Sequence, residues 1–229
     1  MQCLYAAFAG LHRTKIKNHL RNAMGRDNQK KLLQMRARIA AVAARLMAED
    51  GIEDFALAKR KAARQLNADS THALPDNAEV EEALRSYQAL YQGDEQRERI
   101  STLREIALDA MESFAEFRPY LCGSVLSGTA GQYGEIDLQL YTDDGKSVEL
   151  DLLNRGLPYE VEDERRKVGD QQRNVQVLHV EWDGVPLKLS VYPAHDERVT
   201  QRNAAGDRVI ERASIEAVRQ LVTESWAEE

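Results

Sequence analysis

Hydrophobic residues in the first half of the chain recur at helical spacing. From residue 32 they fall three and four positions apart, at Leu32, Met35, Ile39, Val42 and Leu46. This spacing places them on one face of a helix. Gly51 follows and is expected to end that helix, because glycine readily adopts the left-handed conformation found just beyond helix ends.

The capping signals predict three more helices. Asp54 can cap a second helix, Phe55 to Leu66. Asp76 stands three residues before Glu79, the spacing of a capping box, and opens a third helix that we expect to end at Gly93. A fourth is expected from about Glu95 to Phe117. Arg118-Pro119 should stop it, because the residue before proline avoids the helical region.

After Pro119 the period changes from helical to alternating. Tyr120–Cys122 is predicted to be a short buried strand, and Glu135–Thr142 a strand with one buried face. Asp183-Gly184 predicts a hairpin between two further strands, Val175–Trp182 and Val185–Tyr192.

Three other segments complete the prediction for this half. Lys146–Arg155 is predicted to be a helix closed by Gly156, and Ser214 can cap a last helix that runs through Val222. Glu162–Arg173, with its mixed charges, is expected to be a loop.

These elements predict an α+β protein, with an N-terminal helical region followed by an α/β domain built on a mixed sheet. We divide the chain into a poorly defined basic leader (1–30), a helical region (31–118) and the α/β domain (119–229). No stretch approaches the about 18–20 apolar residues that a membrane span requires, so no membrane partner is expected.

Charge is distributed unevenly along the chain. Residues 1–49 carry a net charge of +8 and residues 73–229 one of −15, within an overall charge of −7. The basic segment suggests contact with nucleic acid or an acidic partner through residues 13–64. A solvated helix face would also explain it. Two cysteines do not make a disulfide framework, and the N-terminus lacks a secretory signal pattern, so we expect a cytoplasmic protein.

The candidate chemistry lies in residues 121–141. A predicted strand runs into Gly123-Ser124, ten residues rich in Gly, Ser and Thr follow, and Glu135 and Asp137 then stand two apart on the next strand. Alternation points the two carboxylates to the same side of the sheet. Such oxygen ligands suit Mg²⁺, which also binds phosphate oxygens, while Gly123 allows close approach and Ser124 supplies a hydroxyl.

This arrangement resembles the nucleotidyltransferase superfamily of the DNA polymerase beta type, in its minimal or small-molecule form. The resemblance implies transfer of a nucleoside monophosphate from an NTP to a hydroxyl acceptor. It implies that Gly123 and Ser124 hold the nucleotide, and that Glu135 and Asp137 are catalytic and bind Mg²⁺.

Two departures from the family pattern leave alternatives open. The first carboxylate is Glu135 where the family usually has aspartate. The family's third carboxylate belongs on a later strand, and the face of Val185–Tyr192 that carries Lys188 and Ser190 has no acid. The protein is therefore predicted to be an active transferase, a catalytically weakened nucleotide-binding or scaffold module of the same fold, or a nucleic-acid binder acting through its basic helices.

Overall fold

The structure is a computed structural model that describes residues 29–52, 54–68, 74–91, 93–131, 133–169, 171–202 and 209–227. The chain divides into two compact units, Met1–Tyr87 and Gln88–Glu229. The predicted leader, residues 1–30, lies outside the described residues except at its last two positions.

The described part of the first unit is helical. It contains α1 (residues 29–50), α2 (Phe55–Gln65) and most of α3 (Asn77–Tyr91). Its core consists mainly of small side chains around Ile39, Leu46, Val80 and Leu84. Ile39 and Leu46 are thus buried as the spacing predicts, whereas Leu32, in the first turns of α1, is half exposed.

The predicted capping signals are found at the residues that the sequence indicates. Gly51 has a positive φ of 66° after α1. Asp54 accepts a hydrogen bond from the Ala56 amide at 2.7 Å. Asp76 and Glu79 each accept from the other's amide, at 2.9 and 2.8 Å, which is a complete capping box.

The second unit is a seven-stranded mixed sheet, counted over the described residues, with helices packed on one face. Its strands are β1 (Tyr120–Cys122), β2 (Ile136–Thr142), β3 (Tyr159–Val168), β4 (Gln171–Trp182), β5 (Val185–Pro193), β6 (Gln201–Arg202) and β7 (Arg212–Ala213). Their order is β6-β3-β4-β5-β2-β1-β7, and β2 and β5 are the one parallel pair among them. The α+β class predicted from the sequence is confirmed.

Four helices accompany this sheet: α4 (Gly93–Ser113), α5 (Gly123–Ser127), α6 (Gly145–Asn154) and α7 (Ile215–Ala227). Apolar side chains of all four join the alternate residues Ile136, Leu138 and Leu140 of β2 and Leu187 and Leu189 of β5 in one core. The other face of the sheet carries Asp137 and Lys188, together with a smaller aromatic cluster that includes Tyr141 and Tyr192. One face of the sheet therefore contributes to the hydrophobic core, and the other carries polar and charged side chains.

Several predicted boundaries are wrong. Gly93 is the first residue of α4 and does not end α3. The fourth helix stops at Ser113, and a short 3-10 turn, Ala115–Phe117, follows before Arg118 adopts a left-handed φ of 47°. The change to strands comes at Tyr120, yet the compact units divide between Tyr87 and Gln88, because α4 packs into the core of the sheet.

The largest correction concerns Glu162–Arg173, which is not a loop. Its first part belongs to β3, which pairs antiparallel with β4 from Tyr159↔Val180 to Val168↔Gln171. Gly169, with a φ of 59°, lies at the turn between them. The predicted hairpin of β4 and β5 is confirmed, with positive φ at both Asp183 and Gly184.

Candidate functional site

The candidate site lies where β1 runs into α5 and meets β2. Gly123, the first residue of α5, has a φ of 74°, which favours glycine. A Cβ atom at this position would overlap the Asp137 carboxylate and lie 3.2 Å from its Cγ. The fold thus brings Gly123 and Asp137, fourteen positions apart in the sequence, into direct contact.

Ser124 follows Gly123 in α5 and is half-buried. Its carbonyl accepts hydrogen bonds from the Thr129 and Ala130 amides, at 2.9 and 3.1 Å, so the chain folds back on the short helix. The side chain of Arg104 in α4 donates to the carbonyls of Val125 and Leu126, at 3.3 and 3.0 Å. Burial lowers the pKa of Arg104, since it disfavours the charged guanidinium. The two carbonyl acceptors offset part of the cost of burying that charge.

Two glutamines fix the segment that follows α5. Gln96 donates to the carbonyls of Gly128 and Ala130, at 3.2 and 2.9 Å. Gln88 donates to the carbonyl of Thr129 at 3.3 Å. Helix α4 and the end of α3 thereby hold the glycine-rich segment in one conformation beside β2.

The two predicted carboxylates come to the same side of the sheet but have different neighbours. Asp137 lies within β2, against Gly123 and in register with Lys188 of β5. Glu135 directly precedes β2, and its Oε2 lies 3.8 Å from Nδ1 of His179 in β4. The Nε2 atom of the same histidine is 3.6 Å from Glu162, so His179 lies between two carboxylates.

Cys122 is another neighbour of Asp137. It pairs with Asp137 across β1 and β2, and its thiol donates to the Asp137 carbonyl at 3.5 Å. Burial and then the nearby Asp137 charge raise the pKa of this thiol far above its usual value. A neutral thiol of this kind is a packing residue and not a nucleophile.

Lys188 lies on the face of β5 that lacks the acid implied by the resemblance, and it faces Asp137 in register. Its Nζ lies 3.0 Å from Oε1 of Glu164, a residue of β3. Burial opposes the charge on Lys188, but the hydrogen bond with Glu164 and the charge of Asp137 outweigh burial and raise its pKa. The residue facing Asp137 from β5 is therefore a stable cation.

A second cation, Arg166, completes the network on β3. It donates to Glu164 at 3.0 Å, to the Ser190 hydroxyl at 2.9 Å and to the Tyr192 hydroxyl at 3.1 Å. Burial disfavours the charge of Glu164, but the Lys188 hydrogen bond and the Arg166 charge prevail and lower its pKa. Glu164 thus joins two cations on the polar face of the sheet.

Sequence reasoning missed Glu164 and Arg166 because their segment was expected to be a loop. A period-two pattern was available: Glu164 and Arg166 stand two apart, between Tyr159 and Val168, and Gly169 follows as a turn residue. Charge on both faces of β3 hid that pattern, since an ordinary half-buried strand alternates polar with apolar residues.

Glu135 and Asp137 are the residues of this site that could hold a Mg²⁺ ion. Proteins usually hold Mg²⁺ with one or two carboxylates, and substrate phosphates and water complete the coordination. Glu135 and Asp137 supply that number, and the residue that faces Asp137 from β5 is the cation Lys188. Among the described residues, no group of three or more His, Cys, Asp and Glu could hold a metal ion.

A separate basic surface lies in the first unit, on α2. Arg60, Lys61 and Arg64 are exposed, and α2 contains no acidic residue. Two other basic side chains of this unit have hydrogen-bond partners within it. Arg36 donates to Glu79 at 2.7 Å, and Lys59 donates to Asn77 at 2.7 Å. Of the predicted partner surface, residues 13–64, positions 13–28 and 53 lie outside the described residues.

Across the part of the chain that the structure describes, no helix combines the length and apolar character needed to cross a membrane. Comparisons with protein-family models, with curated proteins and with solved structures gave no match for this chain.

Proposed function

We propose that this protein is a Mg²⁺-dependent nucleotidyltransferase that moves a nucleoside monophosphate from an NTP to a hydroxyl acceptor. One observation carries the proposal: the Gly123 backbone lies directly against the Asp137 carboxylate. Because Gly123 has no side chain, the Asp137 carboxylate can lie against the turn that starts α5, which places a metal ligand beside the backbone amides of that turn.

Each predicted residue has a defined part in this proposal. Gly123 and Ser124 hold the triphosphate through backbone amides and a hydroxyl. Asp137 and Glu135 hold the metal ion, which when bound neutralises phosphate charge and orients the nucleotide. The acceptor oxygen attacks the α-phosphorus, the bond to the bridging oxygen breaks, pyrophosphate leaves and the hydroxyl proton is released to solvent.

The test is transfer of label from an α-labelled NTP in the presence of Mg²⁺ and cell lysate. We expect the chain of residues 1–229 to label an acceptor and the Asp137→Asn variant to lose at least about 100-fold in rate, the size of effect seen when one preorganised group that stabilises transition-state charge is removed. Asp143→Asn is the matched control, since Asp143 is an exposed acid just beyond the same strand. Equal labelling by the wild type and Asp137→Asn would contradict the proposal.

A second candidate is nucleotide binding without transfer, as in a sensor or scaffold. The face of β5 next to Asp137 favours it, because that face carries Lys188 and Ser190 and lacks the acid that would help to activate the acceptor. Calorimetry with ATP, with and without Mg²⁺, separates the candidates from a protein that binds no nucleotide. Binding without label transfer would favour the second candidate.

We also propose a cytoplasmic location for this activity. A cytoplasmic protein has both NTPs and Mg²⁺ available, and the proposed reaction requires both.

A further inference from the structure

The polar face of the sheet beside Asp137 combines acids and bases in a fixed arrangement. Lys188 faces Asp137 in register and is 3.0 Å from Glu164, which also binds Arg166. The charges of Asp137, Glu164, Lys188 and Arg166 cancel formally. A site with a third carboxylate in place of Lys188 would carry two more negative charges and would need additional cations to accept a triphosphate.

The two cations of this network have different capacities for a further ligand. The Arg166 guanidinium is committed to Glu164, Ser190 and Tyr192, three partners from β3 and β5. The Lys188 ammonium has three N–H donors, and among the described residues Glu164 is the one carboxylate within 4.0 Å of its Nζ. Lys188 therefore retains donors on the face of the sheet that also carries Asp137.

We propose that Lys188 binds a phosphate oxygen of the NTP, so that the site needs a single Mg²⁺ ion. This inference rests on the proposed nucleotide binding. A lysine ammonium acts on phosphate as a point charge. Glu164 fixes Lys188 beside Asp137, where a third carboxylate would otherwise attract a cation. Glu164 is a positioning residue, since it acts on the ligand only through Lys188.

The test measures binding of a non-hydrolysable NTP analogue to the whole chain of residues 1–229 by calorimetry over a range of Mg²⁺ concentrations. For the wild type we expect a plot of log affinity against log Mg²⁺ concentration to have a slope near one. Lys188→Gln should weaken binding about tenfold or more at saturating Mg²⁺, because a charge-assisted contact to phosphate is lost. Lys188→Arg should retain most of the affinity, because it keeps the charge.

Lys188→Asp supplies the third carboxylate and gives the sharpest contrast. This variant should bind the analogue weakly at low Mg²⁺ concentration and regain affinity at high Mg²⁺ concentration. The slope of its log affinity against log Mg²⁺ concentration should approach two. Lys146→Gln is the matched control, since Lys146 is an exposed lysine of α6, the helix that packs on the opposite face of the sheet. It should bind like the wild type.

The outcomes separate this inference from the proposed function. If the wild type binds the analogue but Lys188→Gln binds equally well, or if the wild-type slope is already two, the role of Lys188 is wrong while nucleotide binding stands. If the wild type binds no analogue at any Mg²⁺ concentration, both are wrong. Should Lys188→Gln fail to fold, the wild-type slope and the Lys188→Arg affinity still decide between these outcomes.

Discussion

At the scale of single residues, Gly123 is the position where the backbone contacts Asp137, a candidate metal ligand. Gly123→Ala forces a side chain into left-handed backbone, which costs about 1–2 kcal/mol, and also drives a methyl group into the Asp137 carboxylate. We expect it to lower the free energy of unfolding by more than the backbone cost alone and to weaken nucleotide binding. Urea denaturation and calorimetry measure the two effects.

Gly156 provides a matched control for this substitution. Its φ of 69° is close to the 74° of Gly123, but a Cβ atom there would meet nothing within 4 Å. Gly156→Ala should therefore show the backbone cost of about 1–2 kcal/mol and leave nucleotide binding unchanged. If both variants lose equal stability and bind nucleotide equally, the contact between Gly123 and Asp137 has no energetic importance.

At the scale of secondary structure elements, local signals predicted the helix starts well. Asp54 and the Asp76–Glu79 pair cap the helices that the sequence indicates, because a cap depends on residues within one turn. The Asp183-Gly184 dipeptide likewise sufficed to predict the hairpin turn, where both residues have a positive φ. The juxtaposition of Gly123 with Asp137 was inferred from a motif, since nothing local specifies it.

Strand β3 could not be predicted in the same way. Its residues are mostly charged, and its pairing with β4 brings Glu164 and Arg166 to the polar face. Their partners Lys188, Ser190 and Tyr192 lie on β5, about twenty-five positions further along the chain. Hydrophobic periodicity identifies strands that bury apolar residues. Strand β3 instead pairs with β4 and is linked to β5 by polar contacts across β4, among them the ion pair of Glu164 with Lys188.

These ion pairs predict a pH-dependent contribution to stability. The pKa of Glu164 is lowered in the folded protein, so its stabilising effect is complete above the ordinary value of 4.5 and is lost as the pH falls through the lowered value. We expect Glu164→Gln to lower the free energy of unfolding by about 1–3 kcal/mol at pH 7, because Lys188 and Arg166 lose a charged partner. The difference from the wild type should shrink below pH 4.5.

Urea denaturation at pH 7 and pH 3.5, followed by tryptophan fluorescence, measures this difference, because Trp182 and Trp226 both belong to the second unit. Glu160→Gln is the control: Glu160 lies on the same strand and is exposed. It should have a small effect at both pH values. A Glu164→Gln effect that stays equal at pH 7 and pH 3.5 would show that the carboxylate charge does not stabilise the sheet.

For the molecule as a whole, the described part of the predicted partner region, residues 13–64, includes an exposed basic face on α2. The positive charge of Arg36 is used within the first unit by Asp76 and Glu79. Helix α2 buries Ala58, Ala62 and Ala63 on one side and exposes basic residues on the other. We propose that this exposed face of α2 binds nucleic acid through its phosphates.

The test is a triple charge reversal, Arg60→Glu, Lys61→Glu and Arg64→Glu, with RNA and DNA binding measured over a range of salt concentrations. Each phosphate contact contributes about 0.9 to the slope of log affinity against log salt for duplex DNA, so the slope should fall by about two to three. Substitution is preferable to deletion of residues 1–49, because α1 contributes Ile39 and Ala43 to the core of the first unit.

The matched control reverses three exposed basic residues of the second unit, Arg97, Lys146 and Arg198. It changes the net charge by the same amount, so a general electrostatic effect would weaken binding equally in both proteins. A fall in slope confined to the α2 variant would localise the phosphate contacts to that helix. Equal slopes in the wild type and the α2 variant would mean that the basic face is only a solvated helix surface.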